Sequence, residues 1–85
     1  MLHAIHTIVI EGLQFRPNPI TVAVRDRIVW VNHDPFWHTV VSTAARLQSP
    51  EIAPGRSWAY RAKVPGTVQY RCPLHPTMEA MFRVE

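Results

Sequence analysis

The sequence predicts an all-β domain, a sandwich or barrel of about seven to eight short strands. Three observations lead there. Apolar residues recur at every second position in run after run, clusters of proline, glycine and asparagine separate the runs, and no stretch of ten or more residues carries an uninterrupted helical apolar period.

Taken in order, Ile8 and Ile10 mark the first strand, and Pro17-Asn18-Pro19 turns the chain into a second, marked by Ile20, Val22 and Val24. Ile28, Trp30 and Asn32 line one face of the next, which ends at the turn Asn32-His33-Asp34-Pro35. After Pro35-Phe36-Trp37, His38 opens the apolar run Thr39-Val40-Val41. Residues 42–49 suit either a helical turn or a loop over the barrel. Pro54-Gly55 precedes Trp58, Tyr60 and Ala62, and Pro65-Gly66 precedes Val68, Tyr70 and Cys72. Met81, alternating with Arg83 and Glu85, reads as core filler of a final strand.

The chain of 85 residues is expected to form one domain, spanning residues 1–85, with no room for a second. Such a domain buries only about 60 to 65% of the surface its unfolded chain exposes, so a bound metal would matter to its stability. With 47% hydrophobic and 18% charged residues the chain is globular, not disordered. Its one cysteine excludes a disulfide within the chain. A net charge of +3 leans toward acidic partners. The arginines at 16, 25, 27, 46, 56, 61, 71 and 83 are dispersed along the chain, which argues against a nucleic-acid binder. No run approaches the length of a membrane span, and the N-terminus lacks the pattern of a secretory signal.

The chemistry concentrates in Cys72-Pro73-Leu74-His75-Pro76-Thr77-Met78, where a thiol, an imidazole and a thioether follow one another at every third residue. On a strand, residues three apart face opposite sides, so these three converge only if the segment is a loop, which Pro73 and Pro76 favour. A second imidazole must come from elsewhere, and His38 can supply it if its strand neighbours the one ending at Cys72. Two imidazoles, one thiolate and a long axial thioether form the ligand set of blue-copper electron-transfer sites.

At this point the sequence resembles the cupredoxins, most closely the amicyanin and plastocyanin-like branch. The resemblance rests on Cys-x-x-His-x-x-Met at 72–78, Phe15-x-Pro17, Val29-Trp30-Val31-Asn32-x-Asp34, His38-Thr39-Val40, Pro54-Gly55 with Tyr60, and Pro65-Gly66-Thr67 leading to Tyr70-x-Cys72. It spans nearly the whole chain, from Ile8 to Val84. It implies a Greek-key β-sandwich and one copper ion cycling between Cu(II) and Cu(I), held by His38, Cys72, His75 and Met78. It also implies a monomeric one-electron carrier in the periplasm or another extracytoplasmic compartment. Its redox partners, a cytochrome or a dehydrogenase or reductase, would dock near His75, Leu74, Pro76 and Phe36. The sequence departs from the family at Arg25-Asp26, at Thr39 and at Glu79-Ala80, and it is short between His38 and Cys72. None of these removes a ligand. With Pro73 directly after the cysteine, the Leu74 N–H is expected to reach the sulfur.

Other readings fit parts of the same sequence. Copper storage, delivery or resistance would use the same fold, and His3 and His6 could hold a weak accessory copper. His33 competes with His38 for the second imidazole. An enzyme with Cys72 as nucleophile and His75 as base lacks an orienting third residue. Multi-copper enzymes and dinuclear centres need histidine pairs or a second cysteine that the chain does not have. No catalytic residue is therefore expected.

Overall fold

A computed structural model of the chain describes residues 3–85. Nine strands form: β1 (Ile5–Glu11), β2 (Gln14–Arg16), β3 (Ile20–Val22), β4 (Arg27–Asn32), β5 (Val41–Ser42), β6 (Leu47–Gln48), β7 (Ser57–Arg61), β8 (Gly66–Arg71) and β9 (Glu79–Val84). They make two sheets, one in the order β2-β1-β4-β7 and the other β3-β9-β8-β5-β6. The inward positions of both sheets meet in a single core. Ile8, Ile10, Ile28 and Trp30 come from the first sheet, and Val22, Tyr70, Ala80, Phe82 and Val84 from the second. Trp30 is the hub, with its ring centroid 5.4 Å from that of Tyr70 and 6.3 Å from that of Phe82, both edge-on. Each fully buried side chain of this size contributes about 1.5 to 3 kcal/mol.

Turn spacing suggested an antiparallel arrangement, but the sheets are mixed. β1 runs parallel to β4, and β3 runs parallel to β9. Parallel neighbours need a crossover, and here the opposite sheet provides it. The chain leaves the first sheet after β2, crosses to become β3, and returns as β4 beside β1. β2, β5 and β6 are only two or three residues long, too short to show a period, and they take the count beyond eight.

Residues 42–49 form neither a helical turn nor an unpaired loop over the barrel. They make a hairpin in which Val41 faces Gln48 and Ser42 faces Leu47. Arg46 closes the turn in a left-handed conformation (φ 54°) by donating to the Thr43 carbonyl. Met81 is also not core filler: Ala80, Phe82 and Val84 point inward, and Met81 shares the outer face with Glu79 and Arg83. A tight hairpin at Gly12-Leu13, both residues left-handed (φ 62° and 58°), joins β1 to β2. That is the turn whose twist matches paired strands, and it strains a leucine.

Candidate metal centre

The loop from Cys72 to Met78 is two consecutive reverse turns. The His75 N–H donates to the Cys72 carbonyl at 3.0 Å, and the Met78 N–H donates to the His75 carbonyl at 2.9 Å. Pro73 and Pro76 each occupy the second position of a turn, where a fixed φ near −65° fits. Each turn brings its first and fourth residues together, which is how residues three apart come to one side. The Cys72 N–H donates to the Met78 carbonyl at 3.1 Å, extending the β8–β9 ladder and closing the loop at its base.

His38 is held on the neighbouring segment. It exchanges two backbone hydrogen bonds with Ile52, at 3.1 and 2.7 Å, just ahead of β5 rather than inside it. Because β5 pairs with β8 through Val41 and Arg71, His38 and Cys72 lie at the same end of the sandwich. His38 Nδ1 stands 3.7 Å from Cys72 Sγ, and both residues are wholly buried. A nitrogen and a sulfur bound to one metal at ordinary bond lengths and a near-trigonal angle lie about 3.6 to 3.8 Å apart. The donor pair therefore fits a shared ion.

The ring orientation has a cause. The buried Asp34 carboxylate accepts from His38 Nε2 at 2.8 Å. A carboxylate that only accepts puts the proton on Nε2 and leaves the Nδ1 lone pair turned to the sulfur. Asp34 also accepts the Gly12 N–H at 2.6 Å and the Leu13 N–H at 3.0 Å, clamping the strained β1–β2 turn. Burial pushes the carboxyl up toward its neutral form, but the Leu13 and Gly12 amides and His38 outweigh this and hold it below the usual carboxylate range. Asn32 completes the frame, accepting the Asp34 N–H and donating to the carbonyls of Phe36 and Ile52.

The amide that reaches the sulfur belongs to Thr39, at 3.3 Å, with the Thr39 hydroxyl at 3.7 Å. The Leu74 N–H makes no such bond. Leu74 lies in the middle of the first turn, whereas Thr39 lies on the segment packed against the sulfur.

Met78 is buried at 1% exposure beside this pair, and the partly exposed His75 ring has its centroid 4.7 Å from that of His38. Among the described residues, no three His, Cys, Asp or Glu side chains close by themselves into a metal cage. Phe36 lies 5.9 Å from His75, ring to ring, and Phe36, Trp37 and Leu74 are each about half exposed, at 50%, 52% and 52%. They form an apolar rim at this end of the molecule.

The other histidines lie apart. His33 is exposed, and His6 is bonded through Nε2 to Asp26 at 2.9 Å. Sequence reasoning quoted Asp34 without giving it a role. The available signal was an acid one helical-turn length before the histidine, in a stretch otherwise rich in turn formers.

No family model matches this chain, and no curated protein does. Solved structures do. An oxidised methionine-to-leucine variant of amicyanin is 22% identical at a TM-score of 0.88, with 94% of this chain and 81% of that one covered. An oxidised proline-to-alanine variant of amicyanin is 23% identical at 0.90, covering 96% and 83%. The Cu(I) form of a methionine-to-alanine variant is 22% identical at 0.89, covering 100% and 86%. Two mixed sheets, nine strands and a near full-length superposition lead to one conclusion: the chain has the cupredoxin β-sandwich fold of amicyanin.

Proposed function

We propose that the chain binds a single copper ion through His38, Cys72, His75 and Met78 and carries single electrons between redox proteins. The observation that carries this reading is the 3.7 Å approach of the His38 Nδ1 lone pair to the Cys72 sulfur, with both residues wholly buried. A soft thiolate and thioether with two imidazoles favours copper over magnesium or calcium, and the methionine adds little for zinc. Bound copper supplies a one-electron couple, Cu(II)/Cu(I).

The protein's own groups prepare the site. Asp34 fixes the His38 tautomer, and the Thr39 N–H stabilises negative charge on the sulfur. The Phe36, Trp37 and Leu74 rim offers a small apolar contact around the exposed edge of His75. Contacts of that size suit transient encounters. A cytochrome, dehydrogenase or reductase would dock on His75, Leu74, Pro76 and Phe36, with the carrier working as a monomer in the periplasm or another extracytoplasmic compartment. No catalytic residue is assigned. Among the described residues, no helix is long and apolar enough to cross a membrane.

The test is addition of Cu(II) to the metal-free protein. Intense visible absorption from thiolate-to-copper charge transfer, bleached by reduction and restored by oxidation, is the expected result. Absence of the band would sink the copper site. A band that returns slowly or not at all would move the assignment to copper storage or delivery.

A further inference from the structure

Three of the eight arginines dispersed along the sequence, Arg25, Arg27 and Arg61, are gathered with Lys63 by the fold at the end opposite the candidate metal centre. In the first sheet Ile5, Arg27 and Arg61 stand in one row across β1, β4 and β7, since Ile5 faces Arg27 and Arg27 faces Arg61. All three are exposed. Arg25 and Lys63 lie one step beyond the row, where the Arg25 N–H donates to the Ala62 carbonyl at 2.7 Å. Arg25 is held left-handed there (φ 79°), a conformation that branched and long side chains rarely adopt. β4 rises about 3.3 Å per residue, so Arg27 is about 16 Å from Asn32 and the metal end.

Two features set this patch apart from an ordinary solvated face. Like charges directly opposite on paired strands destabilise a sheet, and here Arg27 opposes Arg61 with no acidic side chain paired to either among the described residues. The one nearby acid within the fold, Asp26, is 7% exposed, and its oxygens are taken by His6 and by the Ala4 and Ala23 amides. Glu85, at the chain end, is paired with Arg83. The patch is also flanked by two large aliphatic side chains held in water, Ile5 at 67% and Val64 at 73% exposure. A local cost with no internal compensation points to an external partner.

We propose that this end of the molecule docks on an anionic lipid bilayer, with Arg25, Arg27, Arg61 and Lys63 against phosphate headgroups and Ile5 and Val64 dipping into the interface. Cations alone would suit any polyanion. The exposed aliphatic pair favours a surface with an apolar layer beneath its charge. Docked this way, the protein diffuses in two dimensions and presents the Phe36, Trp37 and Leu74 rim away from the lipid. The proposal does not depend on the copper reading, because the patch contains none of the proposed ligands.

The experiment is co-sedimentation of the full chain with phosphatidylcholine vesicles with and without phosphatidylglycerol, in parallel with binding to immobilised heparin. Wild-type protein should bind only the anionic vesicles and release in high salt. Each cation at such a surface strengthens binding about fivefold, so the double substitution Arg27→Gln with Arg61→Gln should weaken it about 25-fold. Relief of the facing charges should leave the melting temperature of that variant equal to or above wild type. If it fails to fold, Arg25→Gln with Lys63→Gln serves instead, with the same loss expected. Ile5→Ser with Val64→Ser should weaken vesicle binding several-fold and leave heparin binding unchanged. Equal binding to neutral vesicles, or none to anionic ones, overturns the proposal. So does an equal loss from Arg56→Gln with Arg71→Gln at the metal end. Binding to heparin with no effect of the aliphatic substitutions on vesicles would overturn it in favour of a soluble polyanion or acidic protein.

Discussion

Asp34→Ala tests how the candidate site is built. The carboxylate accepts three hydrogen bonds, from Gly12 N–H, Leu13 N–H and His38 Nε2. Removing it leaves the His38 Nε2–H buried without a partner, at about 1 to 3 kcal/mol. The two turn amides lie at the surface and recover water, so they add only about 0.5 to 1.5 kcal/mol together. The sum, about 1.5 to 4.5 kcal/mol, is a large share of the roughly 4 to 13 kcal/mol that a domain of this length has in total. With a slope of about 1 kcal/mol per molar urea, the unfolding midpoint should fall by about 1.5 to 4.5 M. Copper affinity should fall by about 10- to 100-fold, the usual effect of losing the carboxylate that orients a ligating histidine. Asp34→Asn keeps one accepting oxygen and should fall between. The measurements are urea denaturation of the metal-free protein and competitive copper titration. A midpoint and an affinity both at wild-type values would refute the reasoning. It would mean that the paired backbone bonds of His38 with Ile52, not the carboxylate, hold the ring.

Cys72→Ser should abolish the visible band while leaving a folded protein, since the oxygen fits the same small buried site; absorption and circular dichroism on one sample check both. Tyr70→Phe should stabilise the domain by about 1 kcal/mol, because the Tyr70 hydroxyl and Trp30 Nε1–H are both buried without a hydrogen-bond partner among the described residues. Burial pushes that phenol up to about 12; a thermal melt showing a loss would mean that the hydroxyl and the Trp30 N–H bond each other after all. Asp26 is held at about 2, below its ordinary 3.8, first by His6 and then by the Ala23 and Ala4 amides. A depressed folded-state value means that its stabilisation is present above about pH 4 and lost as pH falls through about 2. Asp26→Asn should therefore flatten the acid-induced loss of stability between those limits, read by tryptophan fluorescence. An unchanged acid limb would place the loss in another carboxyl.

What could be read from the sequence was local. The ligand loop is encoded within seven residues, because proline at the second place of each turn is itself the instruction for Cys72, His75 and Met78 to share a side. The strands with five or more residues announce themselves by alternation, as Ile28, Trp30 and Asn32 do on β4. What escaped depends on contacts far apart in the chain. Asp34 gains its role from amides 21 and 22 residues away. The amide at the sulfur comes from Thr39, 33 residues before Cys72, and the Leu74 expectation failed because proximity along the chain was taken for proximity to the sulfur. Parallel pairing of β1 with β4 likewise follows from a crossover through the other sheet, which no local period records.

The cation patch shows the same limit from the other side. Scattered arginines were good grounds for discounting a nucleic-acid groove, since a linear cluster is the usual signature of one. Yet β4 and β7 pair with a register that brings Arg27 and Arg61 face to face, although 33 intervening residues separate them. β4 thus carries Arg27 at one end and Asn32, the hub of the His38 frame, at the other. Its inward residues Ile28 and Trp30 must stay apolar for the core to form. Only the two ends and the outward positions of that strand are free to take on function. Both ends carry features that the fold itself does not require: a carboxylate-braced histidine at one, and an uncompensated arginine pair at the other.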